Sequence, residues 1–186
     1  MAAKTKNNLL DIKLMLLRAS RLHFVYVAVY ISAIIVFDSW NLLTHEAVMD
    51  RWTLAAVLLI VTTITWYCSR LDINNKNVYH FLFWLLIITD IVFAALNVYW
   101  QRGMASKAVM LFGVPILSAA LLKSRSLLLT TATLSAAAYS LAAVRYFHKY
   151  YGQGLRVELY GEVGFYVALF FVFAGLLIIG FRDSKS

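Results

Sequence analysis

Six apolar stretches separated by short polar connectors occupy nearly all of this 186-residue chain. A helix needs about 20 mostly apolar residues to cross the hydrocarbon core of a bilayer. The stretches reach or approach that length, and the shorter ones can extend into flanking polar residues. The sequence therefore predicts an all-α polytopic membrane protein, a bundle of six transmembrane helices. The predicted spans are residues 22–40, 52–69, 78–100, 108–122, 127–147 and 163–181.

The composition excludes a soluble protein of this size. The chain is 62% hydrophobic and 14% charged, with a mean hydropathy of +0.76, which is more apolar surface than a soluble domain buries. The net charge of +8 is explained by membrane topology, because the basic residues lie between the apolar stretches. We therefore expect the lipid bilayer, and no nucleic acid, as a partner.

The distribution of lysine and arginine predicts the orientation. If the N-terminus lies inside, eleven of the 17 basic residues fall on the inner face, and the strongest cluster precedes the first span. We therefore expect a multi-pass protein of the inner (plasma) membrane with both termini cytoplasmic. Its parts would be an amphipathic segment (1–21), a six-helix transmembrane domain (22–181) and a cytoplasmic tail (182–186). Residues 1–21 either lie in the membrane interface or extend the first span into the cytoplasm.

The most informative polar residue is Asp90, near the middle of the third span. A charged side chain at that depth costs about 2.5–3.5 kcal/mol, so it should face the bundle and be protonated or partnered. Asn97 projects from nearly the same face, and Thr89 lies beside Asp90. Two interpretations remain open. The three residues form a site that responds to a proton, an ion or a ligand, or they make hydrogen bonds to hydroxyl groups of the fifth span.

The fourth and fifth spans have contrasting compositions. Pro115 lies inside the fourth span, two residues after Gly113, and a proline there removes a backbone hydrogen bond and can kink the helix. Gly113 and Pro115 are therefore hinge candidates. The fifth span is rich in alanine, serine and threonine, which let helices approach closely, so we expect it to be central in the bundle.

No catalytic or metal-binding pattern is present in the sequence. It has no histidine–carboxylate zinc spacing, no nucleophile elbow and no phosphate-binding glycine loop, and its single cysteine is Cys68. We therefore expect a protein that is not an enzyme and carries no cofactor. One alternative is a haem-carrying electron-transfer subunit that uses His23 and His80, which fall near the same face of the membrane. Another is a small transporter or channel subunit with Asp90 and Asn97 lining a path.

The order of features from the third span onward resembles the six-span sensor domains of bacterial membrane sensor histidine kinases of the pilin-regulating and redox-regulating types. The similar segments are WLLIITDIVFAALNVYW and AVMLFGVPILSAALLKSRSLLLTTATLSAAAYSLAAV, with LRASRLHFVYVAVY similar in kind to the first span of those domains. Asp90, Gly103, Pro115 and Tyr139 occupy the places of an aspartate, a loop glycine, a proline and a tyrosine in those domains.

The resemblance implies a non-catalytic sensor or scaffold module that signals through a partner, and it adds Tyr139 to the ligand-responsive candidates. The sequence after residue 181 contains no dimerisation helix with a phospho-accepting histidine and no ATP-binding domain. We therefore expect either a sensor domain separated from its kinase or a stand-alone relative. Its partner would be a second copy of the chain or another membrane or signalling protein.

Overall fold

The structure is a computed structural model that describes residues 2–101, 103, 106–152 and 157–183, and the secondary structure of those residues is entirely helical. In that part of the chain six α-helices follow one another. They are α1 (Ala2–Ser39), α2 (His45–Arg70), α3 (Lys76–Trp100), α4 (Gly113–Ala120), α5 (Arg125–Tyr151) and α6 (Val157–Asp183), with a 3₁₀ segment, Lys107–Phe112, directly before α4. All of them except α4 contain a stretch long and apolar enough to cross a membrane. The predicted all-α class is confirmed.

Contacts between the helices divide the chain into two compact units, Met1–Leu86 and Ile87–Ser186. The first unit contains α1, α2 and the beginning of α3. The second contains the rest of α3, the 3₁₀ segment and helices α4 to α6. Each unit is described separately below.

In the first unit, α1 and α2 form an antiparallel hairpin. Asn41 turns the chain with a φ of 52°, a left-handed conformation that asparagine tolerates better than most residues. The Thr44 hydroxyl then caps α2 by accepting a hydrogen bond from the Ala47 amide at 3.4 Å. Farther along the hairpin, the rings of Phe24 and Trp66 meet edge to face with centroids 6.0 Å apart.

Helix α1 is much longer than a single span. Its 38 residues rise about 57 Å, against about 30 Å for the hydrocarbon core, and no break separates residues 2–21 from the predicted first span. The two interpretations of this segment, in the membrane interface or in the cytoplasm, both stay predictions.

The connector between α2 and α3 is held by a tyrosine and an ion pair. The buried Tyr79 hydroxyl donates to the Leu71 carbonyl at 2.7 Å and accepts from the Ile73 amide at 3.2 Å. Lys13 of α1 pairs with the exposed Asp72, and its hydrogen bond holds the pKa of that carboxyl below the usual range. Because Asp72 is exposed, the ion pair adds little stability, whereas the buried tyrosine orders the connector.

In the second unit, α5 packs against both α4 and α6. Its buried face is built largely of small residues, which allow this close approach. They are Thr131, Ala132, Ser135, Ala136, Ala142 and Ala143. The helix continues to Tyr151, beyond the predicted end of the fifth span at residue 147, so the aromatic residues near that end lie on a helix and not in a loop.

The predicted fourth span is divided into two short pieces. The 3₁₀ segment has six residues and α4 has eight, and they rise about 12 Å each, about 24 Å together. Pro115 lies in the first turn of α4, where a backbone N–H has no partner within the helix in any case. The interruption therefore takes the form of a change from 3₁₀ to α geometry at Gly113, and not a kink in one long α-helix.

Contacts to α5 show what length of that helix lies alongside this part of the chain. Four residues before the divided segment, Gly103 lies against the side chain of Tyr146, and the ring of Tyr99 meets the ring of Tyr146 with centroids 6.3 Å apart. At the end of the segment, a four-residue turn leads into α5 at Arg125. Arg125 and Tyr146 are about 31 Å apart along α5. The chain from Gly103 to Arg125 therefore returns along almost the whole of that helix.

Candidate functional site

Asp90 and Asn97, the polar pair predicted on α3, are both buried, with 1% of each residue exposed. The Asn97 amide donates to the Phe93 carbonyl of its own helix at 2.9 Å. Thr89 is half-buried. The predicted burial of Asp90 is confirmed.

Tyr139 lies at the centre of an aromatic cluster that joins the 3₁₀ segment, α5 and α6. Its ring centroid lies 6.1 Å from that of Phe112, 5.5 Å from that of Tyr166 and 5.9 Å from that of Phe170. Edge-to-face pairs at these distances are stabilising. The Tyr139 hydroxyl is fully buried and finds no hydrogen-bond partner among the described residues. Tyr139, a ligand-responsive candidate from the sequence, therefore packs in the core, and its hydroxyl makes no hydrogen bond within the described part of the chain.

A cavity of about 630 Å³ lies between the 3₁₀ segment and α6, directly beside this cluster. That volume is in the range of pockets that hold ligands of drug size. Its walls are mostly apolar, and the charged residues among its described lining are one lysine and one glutamate. The lining includes Lys107, Met110, Glu162, Tyr166, Leu169 and Phe173.

The sequence does not reveal this cavity, although one hinge candidate, Gly113, lines it. Lys107 directly precedes the fourth predicted span, and Glu162 directly precedes the sixth. A signal was nevertheless present, because each residue comes just before or at the start of an apolar stretch at the same predicted membrane face. That pattern also fits a charge at a membrane interface, and only the packing of α6 beside the 3₁₀ segment brings the two to one cavity.

The histidines proposed as haem ligands differ in environment. His23 is buried, and its Nδ1 lies 2.8 Å from the Ala19 carbonyl of its own helix, whereas His80 is half-buried. Within the described ranges, no group of three or more histidine, cysteine, aspartate or glutamate side chains is placed to hold a metal ion.

No family model, curated protein or solved structure matches the chain. The helices themselves indicate the class of protein. In the described part of the chain, five helices are long and apolar enough to cross a bilayer, which is typical of a multi-pass α-helical membrane protein.

Proposed function

We propose that this chain is a non-catalytic sensor or scaffold module of the inner membrane that signals through a cytoplasmic or membrane partner, or through a second copy of itself. The observation that carries the proposal is the burial of Asp90 and Asn97 on one helix that is long enough to span the membrane. Ionisable residues inside membrane helices are costly and mark functional sites.

The chemistry of a carboxyl group makes Asp90 suited to a responsive role. When ionised it only accepts hydrogen bonds, and when protonated it also donates one. A proton or a cation reaching Asp90 would therefore change which groups it can bind on neighbouring helices. Asn97, on the same helix, keeps both a donor and an acceptor at any pH. Its hydrogen bonds would therefore stay the same while the protonation of Asp90 changes.

The first test compares Asp90→Asn with Asp38→Asn, which removes the same charge from an exposed position on α1. We expect both variants to stay folded, because an amide keeps most hydrogen bonds of the carboxyl group. In lipid nanodiscs, the protection factors of the α3 amides, which compare each exchange rate with the intrinsic rate at the same pH, should change with pH in the original protein and in Asp38→Asn, but not in Asp90→Asn.

Two results would contradict the sensor proposal. One is a set of α3 protection factors that stays the same at every pH in the original protein. The other is ion or solute flux in proteoliposomes that Asp90→Asn abolishes and Asp38→Asn preserves, since the buried pair would then belong to a transport path.

We also propose that the chain crosses the membrane six times, with both termini in the cytoplasm. The support comes from the path of the chain, which lies beside Tyr146 at Gly103, near one end of α5, and leads from the divided segment into Arg125 at the other end. A path of about 31 Å along α5 is close to the thickness of the hydrocarbon core. The distribution of basic residues favours the same arrangement.

Cysteine labelling tests this topology, since Cys68 is the only cysteine in the sequence. In a Cys68→Ser background, Lys107→Cys should react with a membrane-impermeant maleimide from outside intact cells. Lys123→Cys should react only after the membrane is made permeable. Both positions are exposed; Lys107 is the first residue of the divided segment, and Lys123 follows its last helix. Labelling of both from the same side would show instead that this segment re-enters the membrane and that the chain has five spans.

A further inference from the structure

We propose that the cavity between the 3₁₀ segment and α6 binds one zwitterionic phospholipid whose headgroup ends in a primary ammonium. The Lys107 ammonium would bind the phosphate, and the Glu162 carboxylate would bind the headgroup ammonium. The inference concerns a different part of the chain from Asp90, and it does not depend on the sensor proposal.

The cavity runs from a polar end to an apolar end. Phe112 packs on Tyr139, and Lys107 lies about 10 Å from Phe112 along the 3₁₀ segment, which places it near the level of Tyr146. Glu162 lies about 6 Å from Tyr166 along α6 toward the same end. On the other side, Phe173 lies about 16 Å beyond Glu162 along that helix.

The polar end coincides with a belt of aromatic side chains. Tyr146, Phe147, Tyr150 and Tyr151 form a chain of ring contacts at the C-terminal end of α5, with centroid distances between 4.7 and 6.4 Å. Tyrosines at the ends of membrane helices favour the level of the lipid headgroups. The cavity therefore has its charged groups at headgroup level and its apolar walls at the depth of the acyl chains.

The two charges are arranged for a zwitterion. Lys107 and Glu162 line the same cavity and are both exposed, yet their charged atoms are not within ion-pair distance of each other. A ligand that carries both signs can satisfy both groups, whereas an anionic lipid would leave its negative charge near the Glu162 carboxylate. Among the described residues that line the cavity, there is no other lysine, arginine, aspartate or glutamate to change this balance.

The apolar walls favour a lipid over a small soluble zwitterion. Met110 is 80% exposed and Leu169 is 42% exposed, so apolar side chains of the cavity lie open on the surface of a membrane helix bundle. In a bilayer such a surface contacts acyl chains. The lipid can therefore reach the cavity sideways, with its headgroup staying at the interface.

The carboxylate selects the type of headgroup. A primary ammonium has three N–H donors and can make charge-assisted hydrogen bonds to Glu162, whereas a trimethylated ammonium has none. We therefore expect phosphatidylethanolamine to bind about tenfold more tightly than phosphatidylcholine, a difference of 1.4 kcal/mol. The mono- and dimethylated headgroups should be intermediate.

Native mass spectrometry of the protein, taken from vesicles with equimolar phosphatidylethanolamine and phosphatidylcholine, measures this preference directly. We expect one retained phosphatidylethanolamine in the original protein and no preference in Glu162→Gln. Lys107→Gln should weaken retention of both lipids. The matched controls are Glu46→Gln and Lys123→Gln, which change exposed residues outside the cavity and should behave like the original protein.

The four headgroups from phosphatidylethanolamine through its mono- and dimethylated forms to phosphatidylcholine form a methylation series. Comparing their retention tests the proposal even where a variant fails to fold, because it uses only the original protein. Equal retention of all four headgroups would overturn the proposal, as would a preference that Glu162→Gln leaves intact. A stronger preference for anionic phosphatidylglycerol would also overturn it, because the cavity would then act as a simple basic site. Retention of a soluble zwitterion such as phosphoethanolamine as strongly as the lipid would show that the apolar walls add nothing.

Discussion

Replacing Gly103 with alanine should lower the free energy of unfolding by about 2–4 kcal/mol, a large effect for the addition of one methyl group. Two costs add. Gly103 has a φ of +64°, a conformation that costs residues with a Cβ about 1–2 kcal/mol. The new Cβ would also lie 2.8 Å from Cδ1 and 3.2 Å from Cβ of Tyr146. Because the second contact is close to the backbone, turning the ring cannot relieve it.

Two other glycines separate these costs. Gly152 has nearly the same φ, +65°, but nothing lies within 4 Å of the added Cβ, so Gly152→Ala should cost only the conformational part. Gly113 is helical with equally open space, and Gly113→Ala should be neutral or stabilise by up to about 1 kcal/mol. Unfolding of the three variants in mixed micelles, followed by circular dichroism, gives the order. If Gly103→Ala and Gly152→Ala were equally destabilised, the contact with Tyr146 would carry no energy.

The same substitution at two buried tyrosines should have different consequences. Tyr79→Phe removes a hydroxyl that binds the Leu71 carbonyl and the Ile73 amide, and it should destabilise by about 1–3 kcal/mol. Tyr139→Phe removes a buried hydroxyl that has no partner in the described part of the chain, and it should leave stability unchanged or raise it by about 1 kcal/mol. Both variants keep the aromatic ring, so packing is nearly the same before and after.

Two measurements check this pair. Unfolding in mixed micelles gives the sign of each effect, and amide exchange at Ile73 should become faster in Tyr79→Phe only. A destabilising Tyr139→Phe would contradict the prediction and would indicate that the hydroxyl binds a water or ligand beside the cavity. That result would support the sequence-based role of Tyr139 as a ligand-responsive residue.

The sequence allowed most of the secondary structure to be predicted because the bilayer imposes a local rule. Each helix must satisfy its own backbone hydrogen bonds and show apolar side chains to lipid, so a run of apolar residues identifies a span without knowledge of its neighbours. Helices α2 and α3 include the predicted spans 52–69 and 78–100 completely. The burial of Asp90 and Asn97 follows from the same rule, because exposure of a carboxyl group to lipid is costly.

The sequence did not predict features that depend on the packing of neighbouring elements. Hydropathy alone predicts one helix at residues 108–122, but the chain there forms a 3₁₀ segment and a short α-helix that lie alongside α5. Tyr79 and Tyr139 have the same side chain and nearly equal burial, yet one hydroxyl binds two backbone groups and the other binds none among the described residues. Neither difference is visible in composition or spacing.

The sequence by itself determined that this is an all-helical protein with several membrane-spanning segments and a buried polar pair on the third. Only the tertiary structure decided which residues share a cavity. Lys107 and Glu162 are far apart in the chain and meet at one cavity because α6 returns along α5 beside the 3₁₀ segment. The physical reason is that hydropathy is a property of each segment alone, whereas a cavity depends on how several segments fill space together.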